Sequence, residues 1–466
     1  MLIRNVSIDG RDGFDVRLEG DRIAEIGKRL APERLQFDGA GGALMMGLVD
    51  HHCHLLASAA QSSSVDLHEV HSLDQLAGRL QKLAGWGWIR AIGCPPVSAG
   101  SLTARLLDSW QPSRPVRIQD QTGALWVLNS AALARIGEEL PPCVERSTDG
   151  CVTGRVWRGD AWLGQAIGRT LPDLARVGAR LSRLGITAIT DASASTDDDT
   201  TRLLADAHVA GDLPQHLTLM SAGRLSRPTD GAFEIGPAKI LLDERELTPL
   251  SEFVERINLA RGQSRTVAVH CVTAAELALT LAAFEAAGTR SGDRIEHGTV
   301  IPADAMPVIH RLGLTVVMQP GWIETRGDRY LARVEPIDQP DLLRCATLLD
   351  AGIRVSAGSD SPYGQWDCWA AMRAAVSRTT LQGQLLNPEE AITARAALDL
   401  YRAAPDNAGG APRQVEESAR ADLCLLAGPL PNSAEDLAAE RVSATWIGGT
   451  LVHHAAICEE ESSSAI

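Results

Sequence analysis

The chain has 466 residues, 45% of them hydrophobic and 22% charged, and a formal net charge of −15 at pH 7; this is the profile of a globular protein with a large core. The acidic balance and the lack of any Lys/Arg cluster exclude a nucleic-acid surface, because phosphate binding runs on clustered cations. No window nears the ~18 consecutive apolar residues of a membrane helix, and the opening MLIRNVSIDGRDGFDVRLEGDRIAEIG alternates charged and apolar residues where a signal peptide has an apolar stretch. A cytoplasmic protein is expected, acting on a small molecule and engaging no membrane.

The first forty or so residues read as short strands of period-2 alternation separated by Gly- and Asp-bearing turns, and ADLCLLAG and ATWIGGTLVHH repeat the pattern near the other end. Neither end has enough strand for a core of its own, so residues 1–43 and 412–456 are expected to meet in one small β-domain, with 457–466 a disordered acidic, serine-rich tail. Between them, eight apolar runs alternate with amphipathic helical stretches: GALMMGLVDHHCHL, GITAITDAS, QHLTLMSAG, GPAKILLDE, TVAVHCV, RIEHGTV, LTVVMQP and IRVSAGSD. That alternation signals successive βαβ units, and eight of them suit a closed barrel over residues 44–411. Residues from about 58 to 180 are too long for a connecting loop and form an insertion. GAGG at Gly39–Gly42 precedes a strand and reads as a turn, not a phosphate loop. The nine cysteines are scattered without a C-x-x-C pair, so disulfides are not expected.

His52 and His54 lie two apart at a strand end, so the strand period puts both imidazoles on one face. Chance histidines explain an isolated H-x-H about as well as a metal does. His270, His297 and Asp360, however, end three further strands, and in a parallel barrel those ends converge on the catalytic face. Five ligand-type residues at one face point to a divalent metal. Lys239, inside the apolar run GPAKILLD, is costly to bury as an ammonium. It either snorkels to the strand end or is N-carboxylated, a carbamate being an anionic oxygen donor able to bridge two cations. Asp50 shares the face of His52 and His54, as an orienting carboxylate or a turn former.

Taken in order, LVDHHCHL, the strand lysine Lys239, His270 in AVHC, His297 in IEHG and Asp360 in GSDSP resemble the amidohydrolase superfamily. TGALWVLNSAAL, DGCVTG, DRIEHGTVIPADA, MQPGWIETRGDRYL and GSDSPYGQWD resemble its branch of N-substituted formamide deformylases, related to the D-aminoacylases. The resemblance spans nearly the whole chain. It implies a TIM-like (β/α)8 barrel, a small β-sandwich made from both termini, and a metal-activated water that attacks an amide-like carbon. It also implies one metal on His52, His54 and Asp360, a second on His270 and His297, a bridging carboxylated Lys239, and Asp360 as general base. The metal is expected to be zinc, as one or two ions, and a homo-oligomer is compatible with this branch. The sequence departs from the pattern at Met46, at Gly123-Ala124 and at Thr273-Ala274, the last two bearing on substrate identity; some members of the branch use a cysteine ligand, and Cys271 adjoins His270.

Hydrolysis of an amide, N-acyl, N-formyl or cyclic amide bond is the leading reading. A deaminase typically carries glutamate where Thr273 stands, a decarboxylase is a further superfamily alternative, and a non-catalytic scaffold on this fold would have lost ligands that are all present here. Ten tryptophans stand against five Phe and three Tyr. Trp86, Trp88, Trp110, Trp126, Trp157 and Trp162 crowd the insertion, where packing competes with a binding role. Trp322 and Trp366 follow strand ends seven and eight and are the better candidates for an apolar wall around a hydrophobic or aryl-bearing substrate.

Overall fold

The computed structural model describes residues 1–455 apart from 68, 122–123, 138, 168–172 and 229–230. Gly123 of the insertion motif, Cys458 and the expected tail over 457–466 lie outside the described residues. The alternating N-terminal runs become strands Leu2–Ile8, Arg11–Glu19, Arg22–Gly27 and Gln36–Asp38 of one four-stranded sheet. Leu44–Met46 joins the C-terminal strands Leu423–Leu426, Val442–Ile447 and Thr450–His454 in a second. Val6, Val16, Ile23, Met46, Leu423 and Trp446 belong to one buried cluster contributed by both sheets. Each sheet thereby covers the apolar face of the other.

The run expected as a single first barrel strand is divided at Gly47. Leu44–Met46 pairs antiparallel with Leu423–Leu426, whereas the residues from Leu48 pair parallel with the strand that follows the insertion. A Cβ on Gly47 would stand 2.1 Å from Thr187 Cγ2, so only glycine lets the chain cross between the two sheets there. The sandwich accordingly reaches Met46, past the boundary expected at residue 43.

The eight runs supply eight parallel strands: β1 Leu48–Cys53, β2 Ile186–Asp191, β3 His216–Ser221, β4 Glu234–Ile240, β5 Val267–Cys271, β6 Arg294–His297, β7 Thr315–Met318 and β8 Arg354–Ala357. They lie side by side in chain order, the TIM-like arrangement. Past the end of β8 the chain folds back on β1: the Asp360 amide donates to the His52 carbonyl at 2.7 Å, and the Ser359 amide donates to the Asp50 carboxylate at 2.9 Å. A Cβ on Gly358 would lie 2.5 Å from His52 N and 2.6 Å from its Cβ. The absence of a side chain at Gly358 therefore sets how closely this segment approaches β1.

The helices expected before β5 and β6 span Leu250–Gly262 and Ala274–Ala287. Thr273 is the N-cap of the second, in a capping box with Glu276. Among the described residues no helix is long and apolar enough to cross a membrane.

Residues Leu56–Asp173 form a separate compact unit. Its six-stranded sheet uses Val65–Asp66, Ile89–Cys94, Val116–Asp120, Leu125–Leu128, Val144–Arg146 and Val152–Trp157. Trp126 is buried in one of its clusters with Trp88 and Trp162 packed against it, and Trp110 packs against the other. These four tryptophans fill the unit's own cores. Trp86 is fully exposed, and Trp157 donates from its indole to Glu145 at 3.0 Å. The unit stops short of residue 180 because the helix Leu174–Arg183, which leads into β2, buries Leu174, Val177 and Leu181 with the barrel.

Gly358→Ala is expected to cost roughly 1–3 kcal/mol, as overpacking against backbone does, and to lower the midpoint of thermal unfolding. An unchanged midpoint would contradict the close approach to His52.

Candidate metal centre

The strand period turns His52 and Asp50 to one face of β1, and His54 follows one step beyond the strand. Asp360 Oδ1 lies 3.3 Å from His52 Nε2 and 3.2 Å from His54 Nε2, and the ligand atoms of the three all fall within 4.8 Å of one another. The His297 ring is 4.7 Å from that of His52, and the His270 ring 4.6 Å from that of His297. The carboxyl ends of β1, β5, β6 and β8 thus bring four histidines and Asp360 into one cluster. His297 and Asp360 have φ of 73° and 52°, left-handed values that cost a non-glycine residue about 1–3 kcal/mol and concentrate at functional sites.

Lys239, on β4, is buried, and its Nζ has no hydrogen-bond partner, whereas the buried His52 Nε2 and Asp360 Oδ1 face each other across 3.3 Å without hydrogen-bond geometry. A buried polar atom left without a partner costs about 1–3 kcal/mol. A set of imidazole nitrogen, carboxylate oxygen and an amine able to take up carbon dioxide fits a divalent cation.

Neighbours on other strands orient the rings. His52 Nδ1 pairs with Glu296 Oε2, and Glu296 Oε1 accepts from Arg294 Nε at 2.5 Å. His297 Nδ1 donates to Gln319 Oε1 at 2.7 Å, while the Gln319 amide donates to the Val317 carbonyl at 3.3 Å. His54 Nδ1 meets Ser193 Oγ at 2.9 Å, and Asp191 holds Ser193 through its amide at 2.9 Å. An acceptor on Nδ1 leaves the lone pair on Nε2, the tautomer a metal requires. Glu296, Gln319 and Ser193 were not singled out from the sequence, although IEHG, MQPG and TDAS place each beside a strand end. Asp50 accepts from the His52 amide at 3.1 Å as well as from Ser359. It positions the His52 backbone and ties it to the Asp360 segment.

The charges follow from burial and from these partners. Burial pushes the Lys239 ammonium down, opposed by Glu296 and Asp360. Burial, with Lys239 and His52 nearby, takes His270 down to about 4, and burial with His52 nearby holds His297 well below its usual range. Both are neutral imidazoles, ready as ligands. For Glu296, burial is outweighed by Arg294, His52 and Lys239, and the carboxyl stays well below its ordinary value. Asp360 behaves alike beside His52 and His54. Burial pushes Asp50 up to about 6 despite its hydrogen bonds from Ser359 and His52.

The tryptophans expected to form a wall are enclosed. Trp322 stacks on His297 with centroids 5.2 Å apart and planes 13° apart, and the Arg326 guanidinium lies 3.8 Å from its centroid. It is 2% exposed, and Trp366 4%, so neither offers an open face, and Trp322 serves as packing behind His297. The exposed aromatic residue beside the cluster is Tyr363, edge-on to His54 at 5.6 Å. Cys271 is turned away from the ligands, with Sγ 3.2 Å from Thr280 Oγ1.

The family model "amidohydrolase family" matches residues 37–453. The chain is 25% identical, over 96% of its own length and 96% of the relative's, to the N-substituted formamide deformylase of Arthrobacter pascens. Its fold is similar to that of an uncharacterized metal-dependent hydrolase from Pyrococcus furiosus, with TM-score 0.73 and 21% identity, covering 91% of this chain and 98% of the other. It is also similar to N-isopropylammelide isopropylaminohydrolase from Burkholderia multivorans, with TM-score 0.56 and 18% identity, covering 97% and 98%.

Gln319→Met removes the acceptor on His297 Nδ1 at nearly constant volume. It is expected to weaken zinc binding about 10–100-fold, as loss of an orienting partner does, with little change in thermal stability. Unchanged zinc affinity in a competition titration would contradict the orienting role.

Proposed function

From the premise that this chain belongs to the amidohydrolase family of hydrolases acting on carbon–nitrogen bonds, we propose that it cleaves a small N-formyl or N-acyl amide with zinc held by His52, His54, His270, His297 and Asp360, and with Lys239 carboxylated. The observation that carries this reading is the convergence of the His52, His54 and Asp360 ligand atoms within 4.8 Å of one another, beside a buried Lys239 whose Nζ has no partner. The likeness to a formamide deformylase supports the N-formyl choice. A hydrophobic N-substituent fits a barrel mouth where Tyr363 is the exposed aromatic group.

Zinc in such a site supplies a Lewis acid and lowers the pKa of water toward 7. The chain's own residues do the rest. Asp360, held anionic by His52 and His54, accepts the proton of the attacking water and delivers it to the departing nitrogen, which an amine leaving group requires. Glu296, anchored by Arg294, keeps His52 in its ligand tautomer. Burial shifts Lys239 toward the neutral amine, the form that adds to carbon dioxide: a nitrogen–carbon bond forms, a proton leaves, and the side chain becomes an anion. All eight described cysteines are free, which supports a reducing, cytoplasmic setting.

Chelator-stripped protein is expected to lose formate release from N-alkyl and N-arylmethyl formamides and to regain it in proportion to added zinc; full turnover by the stripped enzyme would overturn the assignment. Lys239→Ala is expected to lose zinc and activity by orders of magnitude and to regain part of both with short-chain carboxylic acids, which replace the carbamate oxygens. A variant that keeps its zinc without any added acid would remove Lys239 from the site.

A further inference from the structure

The opposite end of the barrel holds a cavity of about 1380 Å³. Its lining includes Thr218, Glu234, Arg265, Gly292, Arg294 and Thr315, residues at or just before the amino ends of β3 to β7. The ligand cluster lies at the carboxyl ends, and Arg294, at the inner end of the cavity, is linked to it through Glu296.

The cavity reverses the charge of the chain. Six arginines line it, Arg224, Arg227, Arg265, Arg294, Arg413 and Arg420, against four carboxylates, in a protein of net charge −15. Of the inner arginines, Arg294 is paired with Glu296 and Arg413 is acted on by Asp422 and Asp406, which leaves Arg265 without a carboxylate. Asp422, the buried one, is engaged by His216 at 2.9 Å, the Gly448 amide at 2.8 Å and Arg420 at 3.6 Å. Glu234, Asp406 and Glu416 are exposed.

Arg265, by contrast, is buried and donates only to main-chain carbonyls: Nε to Gly236 at 3.1 Å, Nη1 to Gly223 at 2.6 Å, and Nη2 to Ser221 and Pro237 at 3.0 and 2.9 Å. Carbonyls fix the orientation of a guanidinium without cancelling its charge. Arg413, partly buried, is also oriented by carbonyls, those of Gly47 and Arg402, with Asp422 and Asp406 acting on its charge. Burial lowers the pKa of Arg265 with no carboxylate acting on it. Arg224 and Arg227 stand exposed at the cavity with no ion pair among the described residues. Cations taken out of water without a counter-charge are expensive, and a concave site lined by them concentrates anions.

We propose that this basal cavity is a binding site for a small organic oxyanion, a phosphorylated or carboxylated metabolite, distinct from the amide substrate and from the metal centre. Arg265 supplies the fixed positive potential at its inner end, and the exposed Arg224 and Arg227 supply guanidinium forks suited to bidentate contact with phosphate or carboxylate.

The test is titration calorimetry on the zinc-loaded enzyme at constant ionic strength, with glycerol phosphate and with succinate as probes, in wild type and in the Arg224→Ala/Arg227→Ala double variant. Both positions are exposed, make no ion pair among the described residues, and lie outside the ligand cluster, so the variant keeps its fold and its hydrolytic activity. We expect saturable binding of at least one probe to wild type near one equivalent, and a loss of tenfold or more in affinity in the variant at unchanged zinc content. Preference for glycerol phosphate identifies a phosphorylated ligand, and preference for succinate a carboxylated one. No saturable binding of either probe, or binding undiminished in the double variant, overturns the proposal, and neither result bears on the amide-hydrolysing site.

Discussion

The cluster of candidate ligands depends on one buried carboxylate. Glu296 lies inside the barrel two residues beyond Arg294 on β6, so the strand period puts both side chains on the same interior face. One oxygen takes the Arg294 guanidinium and the other the Nδ1 of His52. The pairing holds a negative charge at the barrel centre, fixes the tautomer of His52 on a different strand, and offsets the positive charge of Arg294. Removing one member of such a buried set strands its partners, a loss of about 3–5 kcal/mol. The interior of this barrel is therefore more than apolar filling; its polar layer is the floor on which the ligands stand.

The seam between β8 and β1 is the second requirement. Asp360 reaches His52 and His54 only because Gly358 lets the returning chain lie against the His52 backbone, and because the Asp50 carboxylate accepts amides from both sides of the seam. The left-handed backbone at Asp360 and at His297 turns their side chains toward the cluster at an energetic cost that a purely structural residue has no reason to bear. Fold closure and ligand assembly are the same event here: the hydrogen bonds that draw β8 to β1 also deliver the carboxylate.

Much of this was legible in the sequence, and the reasons are specific. Apolar β-branched runs separated by helical periodicity mark barrel strands, and residues such as His270, His297 and Asp360 stand out because they interrupt the apolar pattern at its end. Gly47 was harder to read. The apolar character of GALMMGLVD is continuous across it, and only the proximity of Thr187 shows that the chain changes sheets there. The insertion's own six-stranded sheet was missed because its strands are short and its tryptophans suggest a binding surface more readily than a core. Glu296, Gln319 and Ser193 escaped notice because their roles depend on which way a side chain points between neighbouring strands, information that one-dimensional spacing does not hold. Trp322 illustrates the converse: its position after β7 suggested a wall, but the stacking on His297 encloses it.

Anomalous diffraction at the zinc edge from crystals of the zinc-loaded protein tests the central claim most directly. The account predicts a peak at coordinating distance from His52 Nε2, His54 Nε2 and the Asp360 carboxylate, with any second peak between Lys239 and the His270–His297 pair. A fully loaded protein whose only anomalous peak lies away from these residues would contradict it.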